Sequence, residues 1–147
     1  MKITTVSELL PILQSSIGPV ILISGVGLLL LTLTNRFGRM LDRARQLNQE
    51  LATGLPADKA AAIRAQIAIL IRRASILRLS ITLGSLTVLL AAVLMLLLFL
   101  GAWLQLELAG LIAAVFCVGL LSLIGSMLAF IYDMNIAMKA VKLEVGL

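Results

Sequence analysis

Histidine is absent from the 147 residues. With it go imidazole metal sites, Ser/His/Asp and Cys/His nucleophile systems, and a histidine proton relay. A single cysteine, Cys117, excludes an intramolecular disulfide; inside an apolar run it reads as a small packing residue. Charged residues make up only 13% of the chain and apolar residues 61%, whereas a soluble domain has roughly 25% and 45 to 50%. Aromatic residues are 4%, too few for an interleaved stacking platform on nucleic acid. No Gly-rich loop precedes a Lys-Ser/Thr pair, and Gly25 and Gly27 lie in an apolar helical run, where they cannot cradle phosphate. Metalloenzyme, hydrolase and nucleotide chemistry all lose their parts. The reading is a non-enzyme with no cofactor, no metal and no nucleic-acid partner.

What the chain does have is uncharged apolar length. Runs from Ile17 to Thr34, Leu79 to Leu106 and Leu108 to Tyr132 each reach the roughly 18 residues a spanning helix needs. The predicted transmembrane helices are 17–34, 79–104 and 108–132. The start does not read as a cleaved signal peptide, because Glu8 and Pro11 interrupt it and no small-residue cleavage site follows the run at Ile17. Orientation follows from the basic residues. Arg36, Arg39, Arg43, Arg45, Lys59, Arg64, Arg72, Arg73 and Arg78 lie between the first two spans, with Lys139 and Lys142 in the tail 133–147 and only Lys2 on the opposite side. An excess of Lys and Arg marks the cytoplasmic side, so the N-terminus is expected outside and the C-terminus in the cytoplasm. Trp103 and Tyr132 suit interfacial anchoring.

Residues 1–16 read as an amphipathic helix at the outer interface. Thr5 to Glu8 has capping-box spacing, and Leu9, Leu10, Leu13 and Ile17 recur at helical intervals. The basic segment 35–78 is patterned as two helices: Phe37, Met40, Ala44, Leu47 and Leu51 form one apolar seam, and Ile63, Ile67, Leu70, Ala74, Leu77 and Ile81 another. Between them Gly54 suits a left-handed helix stop, Pro56 a first helical position and Asp58 a helix N-terminus. The fold class is therefore an all-α membrane protein of three transmembrane helices, with spans one and two continuing into a cytoplasmic antiparallel helical hairpin. Ile69, Ile71 and Ile76 fall off the seam and are candidates for contact with a second copy.

The densest charge runs from Asn35 to Arg45. Arg36, Arg39 and Arg43 share a helical face, and Asp42 reaches Arg39 or Arg45 at three-residue spacing. Together with Arg45, Arg72 and Arg73 they read as a lipid-headgroup contact or, in an oligomer, as a basic vestibule. The chain here resembles a family of small bacterial membrane proteins of unknown function, the domain-of-unknown-function 2721 family. The resemblance rests on the Asn35-Arg36 to Arg45 run, the cluster around Arg72-Arg73 and the pair of closely spaced spans. It implies a multi-pass protein of the bacterial inner membrane and supplies no activity.

Three small or polar faces compete for attention. On span three, Ser122, Gly125, Ser126, Ala129, Asp133, Ala137 and Ala140 form a stripe, with Gly110, Ala113, Ala114 and Cys117 extending small side chains outward. Close helix packing is the role expected of Gly125, Ser126 and Ala129. On span two the comparable face is Ser80, Gly84, Thr87 and Ala91. On span one Ser24, Gly27, Leu31, Thr34 and Asn35 are candidates to line a pore, with Glu107 a candidate for a negative outer mouth. Asp133 is expected to pair with Arg36 or Arg78 at the inner boundary, because a carboxylate there costs far less with an arginine partner. Three spans enclose little on their own. The leading expectation is a homo-oligomer forming an ion-permeable pore in membrane lipid. The alternative is a non-conducting scaffold or assembly factor that recruits a cytoplasmic partner or anionic lipid through the hairpin. A third reading, a proton-channel-like subunit of an energy-transducing motor, rests on topology alone, and the spans lack the mid-membrane acid such a motor uses.

Overall fold

The computed structural model describes residues 6–54, 56–105 and 107–145. Four helices follow one another: α1 (Val6–Ser15), α2 (Ile17–Ala52), α3 (Ala57–Leu104) and α4 (Ala109–Val145). Among the described residues there is no strand. Helices α2, α3 and α4 are each long and apolar enough to cross a membrane, so the chain is an all-α integral membrane protein. In lipid the backbone must satisfy itself, which a helix does within one segment.

The helix ends follow local chemistry. Ser16 N donates to Leu13 O at 3.2 Å, closing α1, and Val20 N donates to Ser16 O at 3.2 Å as α2 begins. Pro19 sits in that first turn, where an N–H has no intrahelical acceptor to lose. The capping contact expected of Thr5 lies outside the described residues. Neither α2 nor α3 breaks where its apolar run meets the basic segment, at 34–35 or 78–79. After α2, the Thr53 hydroxyl and N–H both donate to Glu50 O, at 2.7 and 3.2 Å. Gly54 then adopts φ +78°, the left-handed conformation in which a Cβ would be strained. Pro56 stands one residue ahead of α3 rather than in its first position, and its carbonyl accepts from Ala60 N at 3.0 Å. Helix α3 stops at Leu104, and Gln105 takes φ +52° before the short connection through Glu107 to α4. Helix α4 runs on to Val145, through the residues read as the tail.

Two compact units are distinguishable, one of the described residues up to Leu30 with Leu83–Gly125, the other of Leu31–Thr82 with those from Ser126 on. Burial in each follows a seven-residue period. On α2 the buried residues are Val26, Leu33, Met40 and Leu47, each seven after the last. On α3, Leu77, Ser80, Gly84, Thr87, Ala91 and Leu94 alternate steps of three and four, and on α4 Gly119, Ser122, Ser126 and Asp133 follow the same rule. An average repeat of 3.5 keeps one stripe of a long helix against its neighbours. Within the second unit Leu33 and Leu77 are fully buried, and Phe37, Ala44, Leu70 and Ala74 are half-buried around them. The three isoleucines read as off the seam divide: Ile69 and Ile71 are exposed, whereas Ile76 is half-buried beside Leu77.

Candidate functional site

The buried register of α4 ends on a charge. Asp133 lies seven residues beyond Ser126 on the inward stripe, and none of its side chain is exposed. Its Oδ1 accepts from Arg73 Nε at 3.2 Å, and Arg36 Nη2 approaches Oδ2 at 3.5 Å. Arg36 occupies the step between Leu33 and Met40 on α2, three after one and four before the other. Arg73 precedes Leu77 by four and Ser80 by seven on α3. All three charges therefore belong to the same inward stripes as the buried leucines, with arginine side chains only 21% and 16% exposed. The guanidinium of Arg36 also stacks 5.4 Å above the Phe130 ring and contacts the Met134 sulfur. A buried carboxylate is tolerated only when paired, and removing its partners typically costs about 3 to 5 kcal/mol. Here two cations from two helices share it, so α2, α3 and α4 meet at one carboxylate.

Arg36 and Asp133 are thus brought together, but Arg78 is not their companion. It is exposed, because one residue past Leu77 turns a side chain about 100° around the helix. Arg73 takes that place. Arg36, Arg39, Met40, Arg43, Leu70 and Arg73 line an open concavity of about 320 Å³. Arg39 and Arg43 are exposed along it. Arg45 and Arg72 are also exposed but do not line it. Asp42 approaches Arg45 at 3.9 Å, with both side chains at least 70% exposed; such surface pairs contribute little.

The buried hydroxyls of α3 and α4 are used between those helices. In the first unit Ser122 Oγ donates to Leu83 O at 2.8 Å, and Thr87 Oγ1 is shared between Leu83 O at 3.0 Å and Gly119 O at 3.3 Å. In the second, Ser80 Oγ donates to Ser126 O and Ser126 Oγ returns to Ser80 O, each at 2.7 Å. Among the described residues no buried side-chain nitrogen or oxygen lacks a partner. Close approach needs small residues: a Cβ on Gly125 would stand 3.1 Å from the end of Leu83. Of the residues expected to pack, Ser126 is buried and Gly125 and Ala129 are half-buried, as is Ala137, whereas Gly110, Ala113, Ala114 and Cys117 are exposed. The side chain of Ala140 lies outside those described.

The stripe on α2 has the opposite surroundings. Ser24, Gly27, Leu31, Thr34 and Asn35 are all exposed, on the side away from Val26 and Leu33. Thr34 Oγ1 bonds within its own helix to Leu31 O at 3.1 Å. Glu107 is exposed in the α3–α4 connection. An apolar crevice in the first unit, about 320 Å³ and lined by Pro19, Leu22, Leu90, Leu94 and Phe116 among others, has no counterpart in the sequence reading. It forms where Gly119 and Ala91 place little side chain, a pattern visible in sequence only once the facing helices are known. Among the described residues no three His, Cys, Asp or Glu side chains gather as a metal site.

No curated protein and no solved structure matches the chain. A family described as protein of unknown function (DUF2721) matches residues 16–143, a stretch that takes in the run of α2, both arginine clusters, the α3–α4 hydroxyls and Asp133, and the chain belongs to that family.

Proposed function

We propose that this protein works as a homo-oligomer in the bacterial cytoplasmic membrane, N-terminus outside and C-terminus inside, with the α2 stripe of each copy facing a shared axis to form an ion-permeable pore. One observation carries the reading. The buried hydroxyls Ser80, Thr87, Ser122 and Ser126 bond between α3 and α4, and Ser24 and Asn35 lie with Gly27, Leu31 and Thr34 on an exposed face of α2. Polar residues facing lipid are costly, and those in spans turn to a bundle interior or a water-filled path. One copy has too few spans to enclose such a path, so other copies supply the remaining wall. In the assembly Glu107 rings the outer mouth and attracts cations. Purified protein in planar bilayers is expected to give discrete conductance steps that Ser24→Leu diminishes. Silence at every voltage and membrane tension contradicts the pore.

The exposed Ile69 and Ile71, 51% and 57% accessible, favour a second reading. In that reading the spans anchor a scaffold whose basic segment docks a cytoplasmic protein through these side chains. A stoichiometric partner lost on Ile69→Asp with Ile71→Asp, from a protein that does not conduct, selects the scaffold.

A further inference from the structure

The arginine concavity holds more positive charge than its surroundings neutralise. Arg36, Arg39, Arg43 and Arg73 line it, and the carboxylate of Asp133 meets two of them from the buried side. Four guanidinium groups against one carboxylate leave a net of three positive charges. Among the described residues no carboxylate lies within ion-pair distance of Arg39 or Arg43.

We propose that this concavity is a binding site for a phosphate group, with Arg39 and Arg43 as its outer ligands and Arg36 and Arg73, held by Asp133, as its fixed wall. The proposal stands apart from the pore, since each copy carries the complete set on its own α2 and α3. Geometry supports it in three ways. Arg73 gives only its Nε–H to Asp133, which leaves the two Nη groups of the same rigid fork for another acceptor. Asp133 thereby orients that fork, as a supporting carboxylate orients a metal-binding imidazole. Arg36, Arg39 and Arg43, at steps of three and four, converge from one face of α2 over a floor of Met40 and Leu70. A tetrahedral phosphate oxygen set accepts from several forks at once, which a planar carboxylate does less well.

Position points to where the phosphate comes from. Arg36 is the second residue after the apolar run of α2 ends at Thr34, so a spanning α2 places the concavity at headgroup depth. Soluble phosphate has the same chemistry, and the two sources separate by experiment.

Full-length protein in neutral detergent is mixed with phosphatidylglycerol, phosphatidylcholine or oleate, and bound lipid is counted by native mass spectrometry. Inorganic phosphate is titrated separately, with thermal melting as its readout. The expected result is at least a tenfold preference for phosphatidylglycerol over oleate, which has no phosphate, and over phosphatidylcholine, whose quaternary ammonium the arginines repel. Arg39→Gln with Arg43→Gln should cut it about tenfold, and Arg64→Gln with Arg72→Gln should leave it unchanged. Arg39 and Arg43 do not touch Asp133, so their replacement is expected to keep the parent melting temperature. Retention that survives millimolar phosphate assigns the site to the headgroup. Stabilisation by phosphate alone, lost in the Arg39/Arg43 variant, assigns it to the soluble anion. Oleate binding as well as phosphatidylglycerol, equal losses in both paired variants, or no response to any phosphate overturns the proposal.

Discussion

Ser80 and Thr87 on α3 and Ser24 and Thr34 on α2 are the same kinds of residue within apolar runs, yet the first pair is buried and the second is exposed. The difference comes from what lies opposite. Helix α4 presents Gly119, Ser122 and Ser126 at matching steps, so the α3 hydroxyls find carbonyl acceptors at 2.7 to 3.3 Å. On α2 the inward positions belong to Val26, Leu33, Met40 and Leu47, and the polar residues are turned outward as a result. A small-residue stripe therefore states which face of a helix is special, but the facing helix decides whether that face is used inside the chain or left exposed.

The largest effect should come from the buried charge. Asp133→Ala leaves Arg36 and Arg73 side by side without their shared carboxylate, and is expected to cost about 3 to 5 kcal/mol, read as a lowered unfolding midpoint in detergent. Adding Arg73→Met to Asp133→Leu should recover part of the loss that Asp133→Leu causes alone, because one of the two stranded charges is replaced by a packed apolar side chain. A cost below about 1 kcal/mol for Asp133→Ala would remove this carboxylate as the meeting point of the three helices. Next in size is Leu77→Ala, which empties a fully buried position and should destabilise by about 2 to 4 kcal/mol in the same assay. An equal effect from exposed Leu121→Ala would show that the inward stripe is misplaced. Smaller still is Ser80→Ala with Ser126→Ala, which deletes two reciprocal hydrogen bonds worth about 0.6 kcal/mol apiece in a membrane interior. Ser24→Ala, from the exposed stripe, should stay within about 0.5 kcal/mol of the parent for the single chain. If it matches the Ser80/Ser126 pair, the contrast between the two stripes fails.

Much of the fold was legible because spanning helices must be long and apolar, and the runs at Ile17, Leu79 and Leu108 show that without any tertiary knowledge. The turn at Gly54 was legible because a left-handed stop needs glycine. The charge cluster was half legible. Asp133 and Arg36 stand out as ionisable residues flanking apolar runs, but choosing their companion by distance along the chain favours Arg78, nearest the span, over Arg73. Angular register decides the matter: counting back from Thr87, Ser80 and Leu77 by sevens and fours lands on Arg73, and Arg78 falls on the outer side. That signal was present in the sequence, in the seven-residue period. What no single stripe contains is its partner, which is why the pairing of α3 with α4 and the exposure of α2 needed the folded chain.

Cysteine accessibility tests the outward α2 stripe most directly. In a Cys117→Ala background, single Ser24→Cys and Leu31→Cys variants are placed in planar bilayers and exposed to a charged thiol reagent, with Leu121→Cys on α4 as the comparison; Leu31 and Leu121 are 58% and 67% exposed, so exposure alone does not separate them. The pore account predicts conductance that falls when Ser24→Cys or Leu31→Cys is modified and is untouched at Leu121→Cys. Conductance blocked only at Leu121→Cys, or equally at all three positions, or no conductance in any of them, would contradict it.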